Sequence, residues 1–367
     1  MLTICYFGNY NPAYNRTTVI LLGLKRLGVT VVHCRTEKIG FAGLVELWRK
    51  HRHLRGTYDI MIVGFGDCLW GPVLGKLLSN VPVIWEPLIS RYDAWILDRK
   101  LAANISLKSA YYWSLDWLSA HIVDMIVLDT FSHIRYFHEE FHVPNEKMIR
   151  AVVGANDEIY QPKEKSKQSE FFEVEFHGKY IPLHGSEVLV RAAKLLEHDG
   201  VHVTMIGGGQ EGKSTRAVAD MIGVTNVTFL PAMSAHETEP YVRNADLCVG
   251  HLGNVPRIAR SAPNKLYEAA AAARVSINVN SEAIRELFIP GVNIIGVKPF
   301  DPEDVARAIR ELKAGGKAKE MGLAAHEVYR ASCTPEKVAG VIIDAMYARF
   351  PSLPALSPKA VSTQTAQ

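Results

Sequence analysis

From residue 3 to about residue 330 the chain repeats one pattern: a short apolar run of strand length, then a longer segment with helical periodicity. This alternation builds a parallel sheet covered by helices on both faces, an α/β architecture, and leaves few other folds open. In the first half the pattern predicts strands at Thr3–Gly8, Val29–Cys34, Tyr58–Phe65, Val81–Glu86, Met125–Asp129 and Arg150–Gly154. Helices are predicted near 16–27, 41–55, 70–79, 90–119 and 130–141. The polar stretch from Pro162 to Ser169 breaks the rhythm, and the pattern then restarts. Second-half strands are predicted at Phe172–His177, Val201–Ile206, Val227–Leu230, Asp246–Gly250, Val275–Val279 and Asn293–Val297. Helices follow near 185–198, 211–222, 235–243, 263–273, 281–288, 302–314 and 317–331, with a last one near 335–349. The chain therefore divides into a first domain (1–161), a linker (162–170), a second domain (171–332), a terminal helix (333–350) and a tail (351–367) whose composition predicts disorder. Two doubly wound, Rossmann-like domains facing each other place their ligand site in the cleft between them, at the carboxyl ends of the strands.

Composition narrows the function classes. With 41 basic against 38 acidic residues and a net charge of +3, the chain is not a dedicated nucleic-acid binder. The longest apolar runs, such as Ile60 to Phe65, are strand-sized, and the N-terminus has no basic region ahead of an apolar one, so a cytoplasmic protein is expected. Five scattered cysteines with no Cys-x-x-Cys pair argue against disulfides and zinc ribbons.

The string Gly207-Gly-Gly-Gln-Glu-Gly-Lys-Ser214 satisfies both the phosphate-loop and the dinucleotide fingerprints, and it follows a strand and opens a helix. Neither reading finds its partner. A P-loop NTPase needs an acid ending a hydrophobic strand, whereas Asp246 begins one; a dinucleotide site needs an acid after the next strand, which ends Phe229-Leu-Pro231. A tight strand-to-helix turn bordering the cleft is the plainer reading, with Lys213 and Ser214 on the surface. The segment Arg260 to Ala269 is more informative. Pro263 suits the first turn of a helix, whose free amides and dipole favour an anion, and Arg260 and Lys265 flank it. Glu268, five residues on, is within reach of sugar hydroxyls. Ordinary charges on a surface helix would give the same string.

The ordered set Phe176–Gly185, Ile206–Gln210, Asn226–Pro231, Ala245–Gly250 and Pro263–Glu268 resembles the family-4 glycosyltransferases of the GT-B fold. Ile84–Asp93, Leu128–Thr130 and Val153–Asp157 look like a bacterial polysaccharide-type subgroup of them. The resemblance implies a nucleotide-sugar donor, retention of anomeric configuration and a terminal helix that crosses back to the first domain. It makes Glu268 the second acid of the Glu-x7-Glu motif, which holds the ribose. The first acid falls on Arg260. The diphosphate-binding Arg and Lys fall on Lys179 and His184, so Arg260 and Lys265 are expected to restore the missing positive charge. Gly8 and Arg16 are carried over as donor- or acceptor-side loop residues, Gly207, Gly208, Leu230 and Asn264 as donor contacts, and Glu86 and Asp93 as acids at the cleft. Glu86, Asp93, Lys179 and Arg260 are the expected catalytic set. No Asp-x-Asp tripeptide occurs, so transfer without a metal and without a cofactor is expected. Basic residues in 48–55 together with aromatics at Trp95 and 111–117 suggest weak contact with an anionic membrane surface, on the inner face. A solvated helix end beside core aromatics gives the same composition.

The expected function is transfer of a sugar from a nucleotide donor to a glycan or lipid-linked acceptor in surface polysaccharide or glycoconjugate synthesis. A P-loop NTPase, a nucleotide-sugar 2-epimerase and a non-catalytic GT-B partner subunit remain alternatives.

Overall fold

The four inner strands of the first half are apolar and buried on both faces, as strands covered by helices on both sides must be. The protein, described here from a computed structural model covering residues 1–66, 68–166 and 168–356, arranges β1 (Thr3–Gly8), β2 (Thr30–Arg35), β3 (Ile60–Val63), β4 (Val83–Trp85), β5 (Met125–Leu128) and β6 (Met148–Arg150) as one sheet. Its order is β2-β1-β3-β4-β5-β6, and every pairing is parallel. The second half adds β7 (Phe172–Lys179), β8 (Val201–Gly208), β9 (Val227–Leu230), β10 (Leu247–Val249), β11 (Ser276–Val279) and β12 (Ile295–Val297). These pair in the order β12-β11-β10-β7-β8-β9, again parallel throughout. Read from the other edge this is the Rossmann order, with its reversal between β7 and β10. The crevice outside those two strand ends is where such a sheet binds its ligand.

Three local expectations are corrected. The sixth strand is predicted to run to Gly154 but ends at Arg150. Beyond it, side chains rather than a neighbouring strand satisfy the carbonyls: Arg16 Nη1 donates to Val152, Asn15 Nδ2 to Gly154 (2.9 Å) and Tyr329 Oη to Ala155 (3.0 Å). The single helix expected over 90–119 is two pieces, a π-helical turn Tyr92–Asp98 and a helix Leu107–Ile122. Ser106 starts the second by accepting the Ser109 amide, and Asp116 holds the first by accepting Tyr92 N and Ser90 Oγ. Pro263 is not in the first turn of its helix but caps it, with extended backbone, and the helix spans Asn264–Ala271.

The last helix, Pro335–Arg349, returns to the first domain and packs along the helix Asn15–Arg26. A Cβ on Gly23 would lie 2.0 Å from the Pro335 carbonyl oxygen, so the two backbones meet there. Val338 and Ile342 share a core with Ile20 and Leu24. The tail is a further correction. Leu353 and Leu356 pack on the same core, Leu2 N donates to Ala355 O (3.3 Å) and Tyr347 Oη to Pro354 O (2.6 Å). Residues 351–356 are thus structured, and the rest of the expected disordered tail, 357–367, lies outside the described residues.

The domains also meet directly across the cleft. Glu286 of the second domain accepts the amides of Phe131 and Ser132 (both 2.9 Å), capping the first-domain helix Phe131–Phe141, and pairs with Arg150 (3.0 Å). Among the described residues no helix is long and apolar enough to cross a membrane.

Candidate functional site

The cleft at the β7/β10 reversal encloses about 300 Å³. Second-domain residues from the end of β7, the turn after it, the loop after β10 and the start of helix Asn264–Ala271 form one wall; Tyr14, Phe65, Leu88, Arg99 and Asp129 form the other. Of the residues singled out in the sequence, Lys179, His184, Asn264, Lys265 and Glu268 line it.

Charge on the second-domain wall follows from burial. Lys265 is 5% exposed, its Nζ lies 3.9 Å from the centroid of the Phe176 ring and has no hydrogen-bond partner. Burial brings its ammonium down to about 7, against the opposing pull of Glu175 and Glu268. His184 stacks on His251 (5.2 Å, 21°) and its Nδ1–H donates to the Lys179 carbonyl. Burial, reinforced by Lys265, holds His184 well below its ordinary value, so it lines the cleft as a neutral ring and adds no positive charge there. Lys179 stands exposed at the rim.

Glu268 sits in the second turn of its helix and accepts from His177 Nε2–H (2.7 Å), while His177 Nδ1–H donates to Glu175 Oε1 (2.8 Å). Burial alone would lower the His177 imidazolium, but the carboxylates on either side push it up to about 10. The ring is therefore a cation bridging two acids.

Arg260 and Asp93 do come together, in a way the sequence did not reveal. Arg260 Nε and Nη2 donate to the two Asp93 carboxylate oxygens (2.9 and 2.6 Å), and the guanidinium lies 4.1 Å over the Tyr136 ring. This pair ties the second domain to the first, and neither residue lines the cleft. Beside it Arg257 reaches Asp98 (3.2 Å) through Nη2 alone. Its Nε and Nη1 are buried without partners, and the side chain lines the cleft. Arg257 was missed because nothing in Val255-Pro-Arg-Ile-Ala259 marks one arginine as inward; the only signal was its place three residues before Arg260. Arg99, also on the cleft, was missed likewise.

The remaining candidates lie elsewhere. Arg16 and Glu86 are completely buried and paired with each other (3.1 Å), with Glu86 also accepting the Phe65 amide (3.2 Å). Burial raises the Glu86 carboxyl despite the Arg16 charge. The pair braces the first domain behind the cleft wall, and Gly8, at the end of β1, is buried and does not line the cleft. Gly207 and Gly208 end β8 on the far side of β7, and Leu230 ends β9 one strand further out. None of the three lines the cleft. A Cβ on Gly207 would lie 2.0 Å from the Gly178 carbonyl oxygen, which explains that glycine by strand packing; Lys213 and Ser214 are exposed. In the basic helix end, His51 is not on the surface but bonded inside to Tyr58 Oη (2.5 Å), whereas Trp48, Arg49, Arg52 and Arg55 are exposed. Of the aromatics after residue 110, Tyr111 and Trp117 are exposed; Trp113 is tied to Glu140 (2.7 Å).

Comparison with known proteins gives a consistent picture. Residues 172–314 match the family model described as glycosyl transferases group 1. No curated protein sequence matches the chain. Among solved structures, Anabaena HepE in complex with UDP-glucose superposes with a TM-score of 0.73 at 14% identity, covering 95% of this chain and 100% of that one. Sucrose-phosphate synthase from Thermosynechococcus elongatus gives 0.73 at 15% identity over 95% and 100%. A glycosyltransferase from Rickettsia africae gives 0.69 at 12% over 96% and 99%. The fold is GT-B: two Rossmann-like domains about a cleft.

Proposed function

We propose that this chain, matched to the group 1 glycosyl transferases across most of its second domain, transfers a sugar from a nucleotide-diphosphate donor to a glycan or lipid-linked acceptor, with retention. The observation that carries the reading is a pair of buried cations facing one cavity: Arg257, with two of its N–H-bearing nitrogens unpartnered, and Lys265, with its ammonium unpartnered at the N-terminus of the helix that also presents Glu268. Buried N–H groups without partners are costly and call for an anion. A diphosphate at that helix end would receive the Arg257 fork and the Lys265 ammonium, with Lys179 at the rim. Glu268 would then reach the ribose hydroxyls.

The charge compensation expected from Arg260 passes in this reading to Arg257, because Arg260 is committed to Asp93. Cations and the helix end stabilise the charge that develops on the leaving diphosphate, which is where a transfer without an enzyme nucleophile needs help. Metal independence belongs to the same proposal and is checked by turnover in EDTA. UDP is the first base to try, since HepE is bound to UDP and UDP-glucose. A role in surface polysaccharide synthesis, and weak docking of exposed Trp48, Arg49, Arg52 and Arg55 on the inner membrane face, complete the proposal.

The test is calorimetric titration with UDP, GDP, ADP, CDP and dTDP. One of them should bind, and Arg257→Ala should weaken it about 10- to 100-fold, the range for a lost charged hydrogen bond. No binding by any of them would refute the reading. The Arg260–Asp93 pair favours one second reading, a non-catalytic partner subunit, because an arginine occupies the place of the family's first acid. Tight nucleotide binding with no turnover over a broad acceptor panel would establish it.

A further inference from the structure

β7 exposes every second side chain to the same face, so Glu175 and His177 stand side by side along one strand. Helix Asn264–Ala271 then brings Glu268 onto the other edge of the imidazole. The ring has only two N–H groups, and both go to carboxylates, at 2.8 and 2.7 Å. Glu268 therefore spends Oε2 on His177, and its side chain lines the cleft. Glu175 is 2% exposed, and its Oε2 has no hydrogen-bond partner. Burying a triad of two carboxylates and an imidazolium is expensive, and apolar residues of the same volume would pack the strand at lower cost. The arrangement makes sense where the direction of one carboxylate has to be fixed, as an outer partner fixes the orientation of a ligating group.

We propose that His177, itself held by Glu175, is a positioning residue that aims the Glu268 carboxylate at the ribose hydroxyls of the nucleotide. This rests on the donor reading above and extends it to two residues that act on the ribose through Glu268. Without the ring, the glutamate side chain is free to rotate toward Lys265 Nζ, whose charge it already feels, and the ribose loses its acceptor.

The experiment compares UDP with 2′-deoxy-UDP and 3′-deoxy-UDP by calorimetry, in the wild-type protein and in His177→Leu, His177→Gln and Glu175→Gln. The wild-type protein should prefer UDP over at least one deoxy analogue by about tenfold, the scale of one hydrogen bond to a charged group. In His177→Leu that ratio should fall close to one, with affinity for the deoxy analogue unchanged. His177→Gln, which still offers one N–H, should recover part of the ratio, and Glu175→Gln should lower it. A wild-type ratio in His177→Leu overturns the proposal, and so does an equal loss for UDP and its analogues, which marks a structural role only. Where His177→Leu does not fold, Glu175→Gln, which keeps shape and volume, decides on the same criterion. Where another of the five diphosphates is the one that binds, it and its deoxy analogues take the place of UDP, and absence of binding by all five overturns the donor reading and the positioning role with it.

Discussion

Lys265 shows how a single residue sets the pH range of a site. Its ammonium, brought down to about 7 by burial, faces Glu175 and Glu268 on one side and the neutral rings of His184 and His251 on the other. Below pH 7 the empty site already holds the charge. Above it the site must take up a proton when a dianion binds. Nucleotide affinity should therefore fall by up to about tenfold per pH unit from pH 7 upward. Lys265→Met should flatten the slope, and calorimetry in buffers of different ionisation enthalpy should show proton uptake at pH 8 that the variant lacks. The stability contribution has the opposite sense. A lysine whose folded value lies below its unfolded one favours the folded state more as pH rises from about 7 to about 10.5. His177, raised to about 10, contributes fully below about 6.5 and loses that contribution as pH climbs toward 10.

Among the elements, the β8–helix turn separates motif from mechanism. Gly207 has φ +135°, and a Cβ there would collide with the Gly178 carbonyl at 2.0 Å. Gly207→Ala should thus cost at least about 2–3 kcal/mol, combining backbone strain with overpacking, read as a lowered denaturation midpoint. Lys213→Ala on the adjoining helix should leave both stability and nucleotide binding unchanged, and any ATP hydrolysis that it abolished would revive the P-loop alternative. The strands, the restart after Pro162 and the helix at Asn264 were legible in the sequence because each follows from local periodicity and capping. Lys265 and Glu268 were legible through a motif at fixed helical spacing. What was hidden depends on long-range partners. Arg16 and Glu86 look like loop-side site residues until the fold buries them against each other. Arg260 looks like a diphosphate ligand until Asp93, 167 positions earlier, claims it. The π-helical turn Tyr92–Asp98 was hidden inside one long helical pattern, although it carries Asp93 and Asp98, which pair with arginines of the second domain.

At the scale of the whole molecule those two acids form a latch. Asp93–Arg260 and Asp98–Arg257 join the π-helical turn of one domain to the turn Pro256–Ala259 and its end in the other. The first pair is bidentate and nearly buried, so breaking it leaves a guanidinium poorly compensated, at a cost of about 3 kcal/mol. Asp93→Asn should lower the melting temperature and raise the radius of gyration in small-angle scattering, as the domains spend more time apart. A nucleotide that draws Arg257 toward its phosphates should weaken the second pair, so Asp98→Asn should change nucleotide affinity measured by calorimetry. An unchanged scattering profile in Asp93→Asn would show that Glu286 and the remaining contacts suffice to hold the cleft shut.

The return of the last helix onto Gly23 has a consequence for biosynthesis. The first domain leaves the ribosome before the second, yet Val338 and Ile342, which complete its core beside Ile20 and Leu24, are made only after the whole of the second domain. That domain must wait, with an apolar groove open, until the second domain has been translated and the helix behind it is free to come back. A stop codon shortly before residue 335 would therefore open the core of the domain made first of the two, while the separate second-domain core around Phe176, Val203 and Ile277 would keep its members.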